Sequence, residues 1–298
     1  LYLLIAFPCR LPAFSQQKCF FEHYGAEDGL PQHTVMDILQ DKKGFMWFST
    51  WNGLSRFDGY NFYTYKIQSG EKYHMRSNRL DHICEDKYGY IWVLPYDMEP
   101  HRFDPRTEKF TGLRSLNEYK DFTFTATKII TANSGKVWLL SDKMGAVCIM
   151  DSTFNVELFN VENKKTAGNK VYTVYEDKKS DSWILTDNGL IQVTDNDKKT
   201  NSFFSEKEYS ETRPMQSFYS AMESEEHIWF GSDKGRIWRY NKNNAQFDLI
   251  ETHINSHIQN IKAINENQIL ITSSNDGFFI YHTSTKTLKR YGMHNLPG

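Results

Sequence analysis

Few residues in this chain combine the types and spacing that chemistry requires. His253 and His257 stand four apart in THINSHI, a spacing that would put two imidazoles on one metal if the stretch were helical. No third ligand or glutamate at helical spacing accompanies them, and the stretch reads as a solvated connection between strands. Asp195-Asn196-Asp197 has the composition of a calcium loop, yet it falls at a turn, where Asp and Asn are expected for their local hydrogen bonding. No nucleophile motif, glycine-rich phosphate loop or clustered ligand set appears; no catalytic residue, metal or cofactor is expected. What remains is the chemistry of binding. Trp51-Asn52 and Tyr96-Asp97 each join an aromatic ring to a hydrogen-bonding side chain, and Arg76 and Arg79 lie between the two pairs. An aromatic flanked by polar groups suits a sugar, whose C–H face packs on a ring while its hydroxyls take polar partners. The competing readings are packing between sheets for Trp51 and plain solvated charge for the arginines.

An internal repeat supplies the elements that would position them. Trp47 recurs as Trp92, Trp138, Trp183 and Trp229 at spacings of 45 or 46 residues, and Leu270 takes the same place 41 residues later. Before each lies an alternating apolar run: VMDILQD, LDHICED, ATKIITA, VYTVYED, SFYSAME and QNIKAIN. After each comes a short polar turn that usually ends in glycine, then two further alternating runs such as LSRFD and NFYTYK. Each unit therefore reads as four short antiparallel strands, with the Trp on the second. Four strands at this period are the signature of a β-propeller blade. One blade is too greasy to survive alone; stacking neighbours covers its faces. The expected fold is all-β, a propeller with six repeats of a seven-bladed ring. FFEHY (20–24) reads as the fourth strand of a seventh blade, and HNLPG (294–298) echoes DGLPQ (28–32), where a first strand begins. In this frame Trp51, Asn52, Tyr96 and Asp97 occupy turns between second and third strands. Arg76 and Arg79 lie on the connection between the first two blades, so all six candidates face one end of the central channel.

The totals agree with this architecture. Aromatics make up 15% of the 298 residues while mean hydropathy is −0.62, which suits many short strands joined by polar turns. Net charge is −2, without the clustered basic surface that nucleic acid demands. The apolar run LYLLIAF followed by Ala13-Phe14-Ser15 reads as the tail of a secretory signal peptide over 1–15, cleaved after Ser15; the propeller would occupy 16–298 and continue beyond. Cys9 would leave with the signal. Cys19, Cys84 and Cys148 are odd in number and irregular in spacing, so no disulfide framework is expected; Cys84 and Cys148 read as small core residues.

The stretch YGAEDGLPQHTVMDILQDKKGFMWFSTWNGLSRFDGYNFYTYK resembles the opening of the periplasmic sensor region of hybrid two-component systems common in gut Bacteroidetes. The residues that carry the resemblance are Gly29-Leu30-Pro31, Asp41, Gly44, Met46-Trp47-Phe48, Gly53-Leu54 and Arg56-Phe57-Asp58-Gly59, and weaker copies run to the chain's end. Two places depart from the pattern: Pro95-Tyr96-Asp97-Met98-Glu99 replaces a glycine turn, and the sixth repeat lacks its Trp. The resemblance implies a much longer sensor histidine kinase, with a second propeller, a β-sandwich, a membrane helix, kinase and receiver domains and often a DNA-binding domain. It implies a periplasmic ectodomain of an inner-membrane protein that detects an oligosaccharide and switches on glycan-degrading genes through a phosphorelay. The implied partners are that ligand, the rest of the parent chain and a second copy in a homodimer, with no nucleic-acid contact by this domain. Two rival classes stay open. A secreted glycan-active enzyme, a glycosidase or lyase, is disfavoured because DKKGFMW fails the sialidase Asp-box spacing: Gly44 is three residues after Asp41, and Leu39 stands where a Ser is needed. A protein-interaction scaffold is the other.

Overall fold

A computed structural model describes residues 22–66, 76–115, 123–150, 153–166, 168–195, 199–204 and 216–291. Within them lie six four-stranded antiparallel sheets, each built from four consecutive strands in sequence order. Blade one comprises β1 (Val35–Gln40), β2 (Met46–Thr50), β3 (Gly53–Phe57) and β4 (Phe62–Tyr65). Blade two comprises β5 (Leu80–Glu85), β6 (Ile91–Pro95), β7 (His101–Asp104) and β8 (Lys109–Gly112). Blade three comprises β9 (Lys128–Thr131), β10 (Val137–Leu140), β11 (Ala146–Ile149) and β12 (Val156–Phe159). Blade four comprises β13 (Val171–Glu176), β14 (Ser182–Thr186), β15 (Gly189–Val193) and β16 (Thr200–Phe203). Blade five comprises β17 (Phe218–Glu223), β18 (His227–Ser232), β19 (Arg236–Asn241) and β20 (Phe247–Glu251). Blade six comprises β21 (Ile258–Asn265), β22 (Gln268–Ser273), β23 (Phe278–His282) and β24 (Thr287–Tyr291). Neighbouring blades meet chiefly through their innermost strands, and blade three reaches β13 of blade four through β10, as in a propeller.

The repeated Trp does what its spacing predicts. Trp47, Trp92, Trp138, Trp183 and Trp229 lie on second strands and are at most 4% exposed. Each faces the following blade: Trp47 packs with Leu80, Ile83 and Phe103 of blade two, and Trp138 with Val171 and Val174 of blade four. Burying a large apolar side chain in this way contributes about 1.5–3 kcal/mol. The indole N–H must also find an acceptor. In blade one Asp41 supplies it, one carboxylate oxygen accepting Trp47 Nε1 at 2.8 Å and the other the amides of Lys43 and Phe45, both at 2.9 Å. Asp86 holds Trp92 and Asp177 holds Trp183 in the same way, each at 3.0 Å. The Asp–x–x–Gly turn is thus a clamp on the Trp. Blade five substitutes Ser224, at 3.1 Å from Trp229 Nε1. Blade three has Ala132 in this place, and the buried Trp138 Nε1 has no partner among the described residues.

Equivalent positions reveal the ends of the stack. Ile83, Ile129, Val174 and Ile261 share one register position, face the preceding blade and are 3–7% exposed. Ile38, their counterpart in blade one, is 57% exposed. On the opposite flank, Phe278 of blade six is 43% exposed where Leu54 and Leu190 are fully buried. The described strands of blade six make no extended contact with those of blade one. Both flanks are therefore bare among the described residues. Residues 22–24, the described part of the expected seventh-blade strand, join no sheet; the Tyr24 ring instead lies 5.1 Å from Phe57 and 5.8 Å from Phe62. Residues 20–21, the expected signal segment 1–15 and the 294–298 echo lie outside the described residues.

Candidate functional site

The turns between second and third strands lie beside the starts of the first strands, which places both at one end of the channel. Most of these turns need a left-handed residue. Gly53 has φ +117 and a Cβ there would meet the Tyr65 carbonyl at 2.7 Å, so only glycine fits. Blade two departs from this: Met98 takes φ 63 in the glycine's place, and the turn carries Tyr96 and Asp97 outward.

The structure brings three of the six predicted residues into contact, Trp51, Arg79 and Tyr96, with Asn52 and Asp97 beside them on the same turns. The Arg79 guanidinium lies 4.8 Å from the Trp51 ring centroid and 4.3 Å from that of Tyr96, so it is held between an aromatic of blade one and one of blade two. Asp81 fixes it by accepting Arg79 Nε at 3.2 Å, and the Arg79 carbonyl accepts the Tyr96 amide at 3.0 Å. Asn52 donates from Nδ2 to the Pro31 carbonyl at 3.2 Å. Asp97 accepts the Glu99 amide at 3.3 Å through Oδ1, while Oδ2 is buried without a partner. Arg76 is exposed, and no contact among the described residues ties it to this cluster. Trp51 and Tyr96 are 46% and 59% exposed and belong to no core cluster, which removes sheet packing as an account of Trp51. The cluster is a half-exposed aromatic and cationic rim.

Farther round the same end lies a feature that the sequence reasoning missed. Tyr172 and Tyr219 are the second residues of β13 and β17, and their rings lie 4.5 Å apart. His257, just before β21, stacks on Tyr219 at 4.3 Å with an interplanar angle of 26°. The three rings form a ladder along the wall of a cavity of 920 Å³ that Lys128, Gln259 and Asn260 also line. Burial, then the neighbouring Tyr219, hold the Tyr172 phenol well above its ordinary pKa. The only available signal was register: in VYTVYED and SFYSAME a Tyr stands at the same place in consecutive blades. His257, expected as a solvated loop residue, is instead part of this ladder.

Other candidates resolve into structure. Asp195 pairs with Lys136 at 2.5 Å, joining blades three and four; Asn196 and Asp197 lie outside the described residues. Among the described residues no group of three or more His, Cys, Asp or Glu side chains is placed to hold a metal ion. Cys84 and Cys148 form no disulfide among the described residues, and burial pushes Cys84 well above its ordinary pKa, which keeps it unreactive. No helix among the described residues is long and apolar enough to cross a membrane.

Comparison with known proteins finds similar sequences and folds. Residues 29–52 match the two-component regulator propeller family. A segment of 46 residues is 46% identical to Histidine kinase P4 of Formosa agariphila, covering 15% of this chain and 3% of that protein. Among solved structures, the extracellular domain of BT3049 from B. thetaiotaomicron, assigned to the hybrid two component systems, superposes with a TM-score of 0.61 at 23% identity, covering 91% of this chain and 36% of that one. The extracellular domain of BT4673 from the same organism gives 0.60 at 19% identity, with 88% and 34% covered. The chain thus spans about a third of the length of these structural relatives, and at such identities the likeness establishes the fold.

Proposed function

We propose, from the two-component regulator propeller repeat at residues 29–52, that this chain is an extracytoplasmic ligand-sensing propeller of a hybrid two-component sensor histidine kinase. Its ligand is an oligosaccharide, and the kinase controls glycan-utilisation genes. The domain itself turns nothing over, because a sensor needs a ligand that persists. It sits in the periplasm as part of an inner-membrane protein that works as a homodimer. The bare flanks at Ile38 and Phe278 are seats for a seventh blade that completes the ring and covers the edges left apolar.

The observation that carries the binding reading is the rim formed by Trp51 and Tyr96 around Arg79. These are large rings kept out of the core and about half exposed, and Trp and Tyr rings pack on sugars at little entropic cost. Signal output then requires the ligand to favour one arrangement of the ectodomain over another. The test is calorimetry of the purified protein against a panel of glycan fragments, with product analysis of the same mixtures. Binding without turnover, weakened by Trp51→Ala and Tyr96→Ala in variants that keep the parent circular dichroism spectrum, is the expected result. Turnover of any fragment transfers the protein to the enzyme class, and absence of both binding and turnover leaves the scaffold.

A further inference from the structure

The cavity beside the Tyr172–Tyr219–His257 ladder contains a cation whose charge nothing described balances. Lys128 opens β9 at a register position shared with Asp37, His82, Thr173, Ser220 and Asn260 on the other first strands. These six positions ring the channel at one level. The acid of that ring is already engaged: Asp37 accepts the Ile83 amide at 3.1 Å and lies 3.7 Å from His82. Asp81, one residue nearer the mouth, is held by Arg79 at 3.2 Å. Lys128 has no hydrogen bond or ion pair among the described residues; its side chain is exposed into the channel, and desolvation by the surrounding wall lowers its pKa from the ordinary lysine value. Asp233 is within electrostatic reach of His257, and burial raises its carboxyl above the ordinary aspartate value.

An accessible ammonium without a protein partner on a concave wall is free to donate a charge-assisted hydrogen bond to an incoming anion. Along the same wall Tyr219 and His257 are stacked and Tyr172 is tilted at 43° against Tyr219, and Gln259 and Asn260 supply amides that donate and accept. We propose that this cavity binds an anionic saccharide, its ring packed on the Tyr219–His257 step and its carboxylate or sulfate on Lys128. The inference rests on the sugar-sensing reading and narrows it to an acidic ligand at a second place on the same end of the propeller. Uronates and sulfated sugars share this chemistry, and the assay separates them.

The experiment titrates the full 298-residue chain with trigalacturonate, a sulfated chondroitin disaccharide and neutral cellotriose, in parent protein, Lys128→Met and Tyr219→Ala. At least one anionic probe should bind more tightly than cellotriose. Lys128→Met should weaken that probe about 10- to 100-fold, the scale of one charge-assisted hydrogen bond, while leaving cellotriose unchanged. Tyr219→Ala should weaken every probe that binds. Which anionic probe responds decides between carboxylate and sulfate. Cellotriose binding as tightly as both acidic probes, with Lys128→Met indifferent, overturns the charge assignment yet leaves sugar sensing intact. Failure of both anionic probes to bind the parent protein at millimolar concentration overturns the inference. Lys128→Arg, which keeps the charge, should retain more affinity than Lys128→Met; equal losses in the two overturn it as well.

Discussion

The orphaned indole of blade three permits a gain-of-stability test of the Asp–Trp clamp. The turn at Ala132 has the same backbone as the turn at Asp41: Ala132 N donates to Lys136 O and Gly135 N to Ala132 O, both at 2.9 Å, as Asp41 N donates to Phe45 O and Gly44 N to Asp41 O at 2.9 Å. Ala132→Asp should therefore place a carboxylate within reach of Trp138 Nε1. Relieving a buried, unsatisfied donor contributes about 1–3 kcal/mol. Desolvation of the new carboxylate opposes this, just as burial pushes the Asp177 carboxyl up in blade four. The glutamates differ between the two turns: Glu85 accepts the Lys42 amide and leaves the Lys43 amide to Asp41, whereas Glu176 already accepts the Ser134 amide, the counterpart of Lys43, at 2.7 Å, so the new carboxylate competes with Glu176 there and gains chiefly from the indole. The net gain should be about 1–2 kcal/mol, a rise of roughly 2–5 °C in melting temperature for a domain of this size. Calorimetry of Ala132→Asp in the parent and in a Trp138→Phe background closes a double-mutant cycle. Phenylalanine has no N–H, so the gain should vanish there. An equal shift in both backgrounds, or destabilisation in the parent, refutes the clamp.

Other outcomes follow from the same structure. Ile83→Ala should cost about 2–4 kcal/mol, whereas Ile38→Ala, at the same register position on a bare flank, should cost well under 1 kcal/mol; urea unfolding that gives equal losses contradicts the assignment of the flanks. The amides of Asn61 and Tyr60 hold the Asp58 carboxyl below the usual aspartate value, so its contribution to stability is present above the unfolded pKa and lost as pH falls through the folded one. Carboxyl-carbon NMR should put its midpoint below that of an aspartate in the urea-unfolded chain. Cys84 and Cys148 should resist iodoacetamide in the native protein and react in urea, with peptide mass mapping as the readout; native labelling of Cys148 contradicts its burial.

The sequence alone determined the fold, because a blade is a local object. Each four-stranded sheet is formed by consecutive strands, so period, alternation and turn chemistry lie within one stretch of about 45 residues. The Trp positions followed from the same periodicity, and so did the grouping of Trp51, Asn52, Arg79, Tyr96 and Asp97 at one end, since equivalent turns of stacked blades must share an end. Tertiary structure decided what happens between blades. Nothing local says that Arg79 reaches between two rings from different blades while Arg76 stands apart, because that depends on how far neighbouring sheets twist against each other. Register could suggest that Tyr172 and Tyr219 are equivalent, but their contact, and the placement of His257 upon them, arise only when three blades converge on the channel. The isolation of Lys128 lies further still from the sequence. Aspartates are plentiful in the chain, and only the assembled ring shows that the two nearest its level, Asp37 and Asp81, are engaged elsewhere. Charge balance in a cavity is a property of distances across blades, and those distances are fixed by packing.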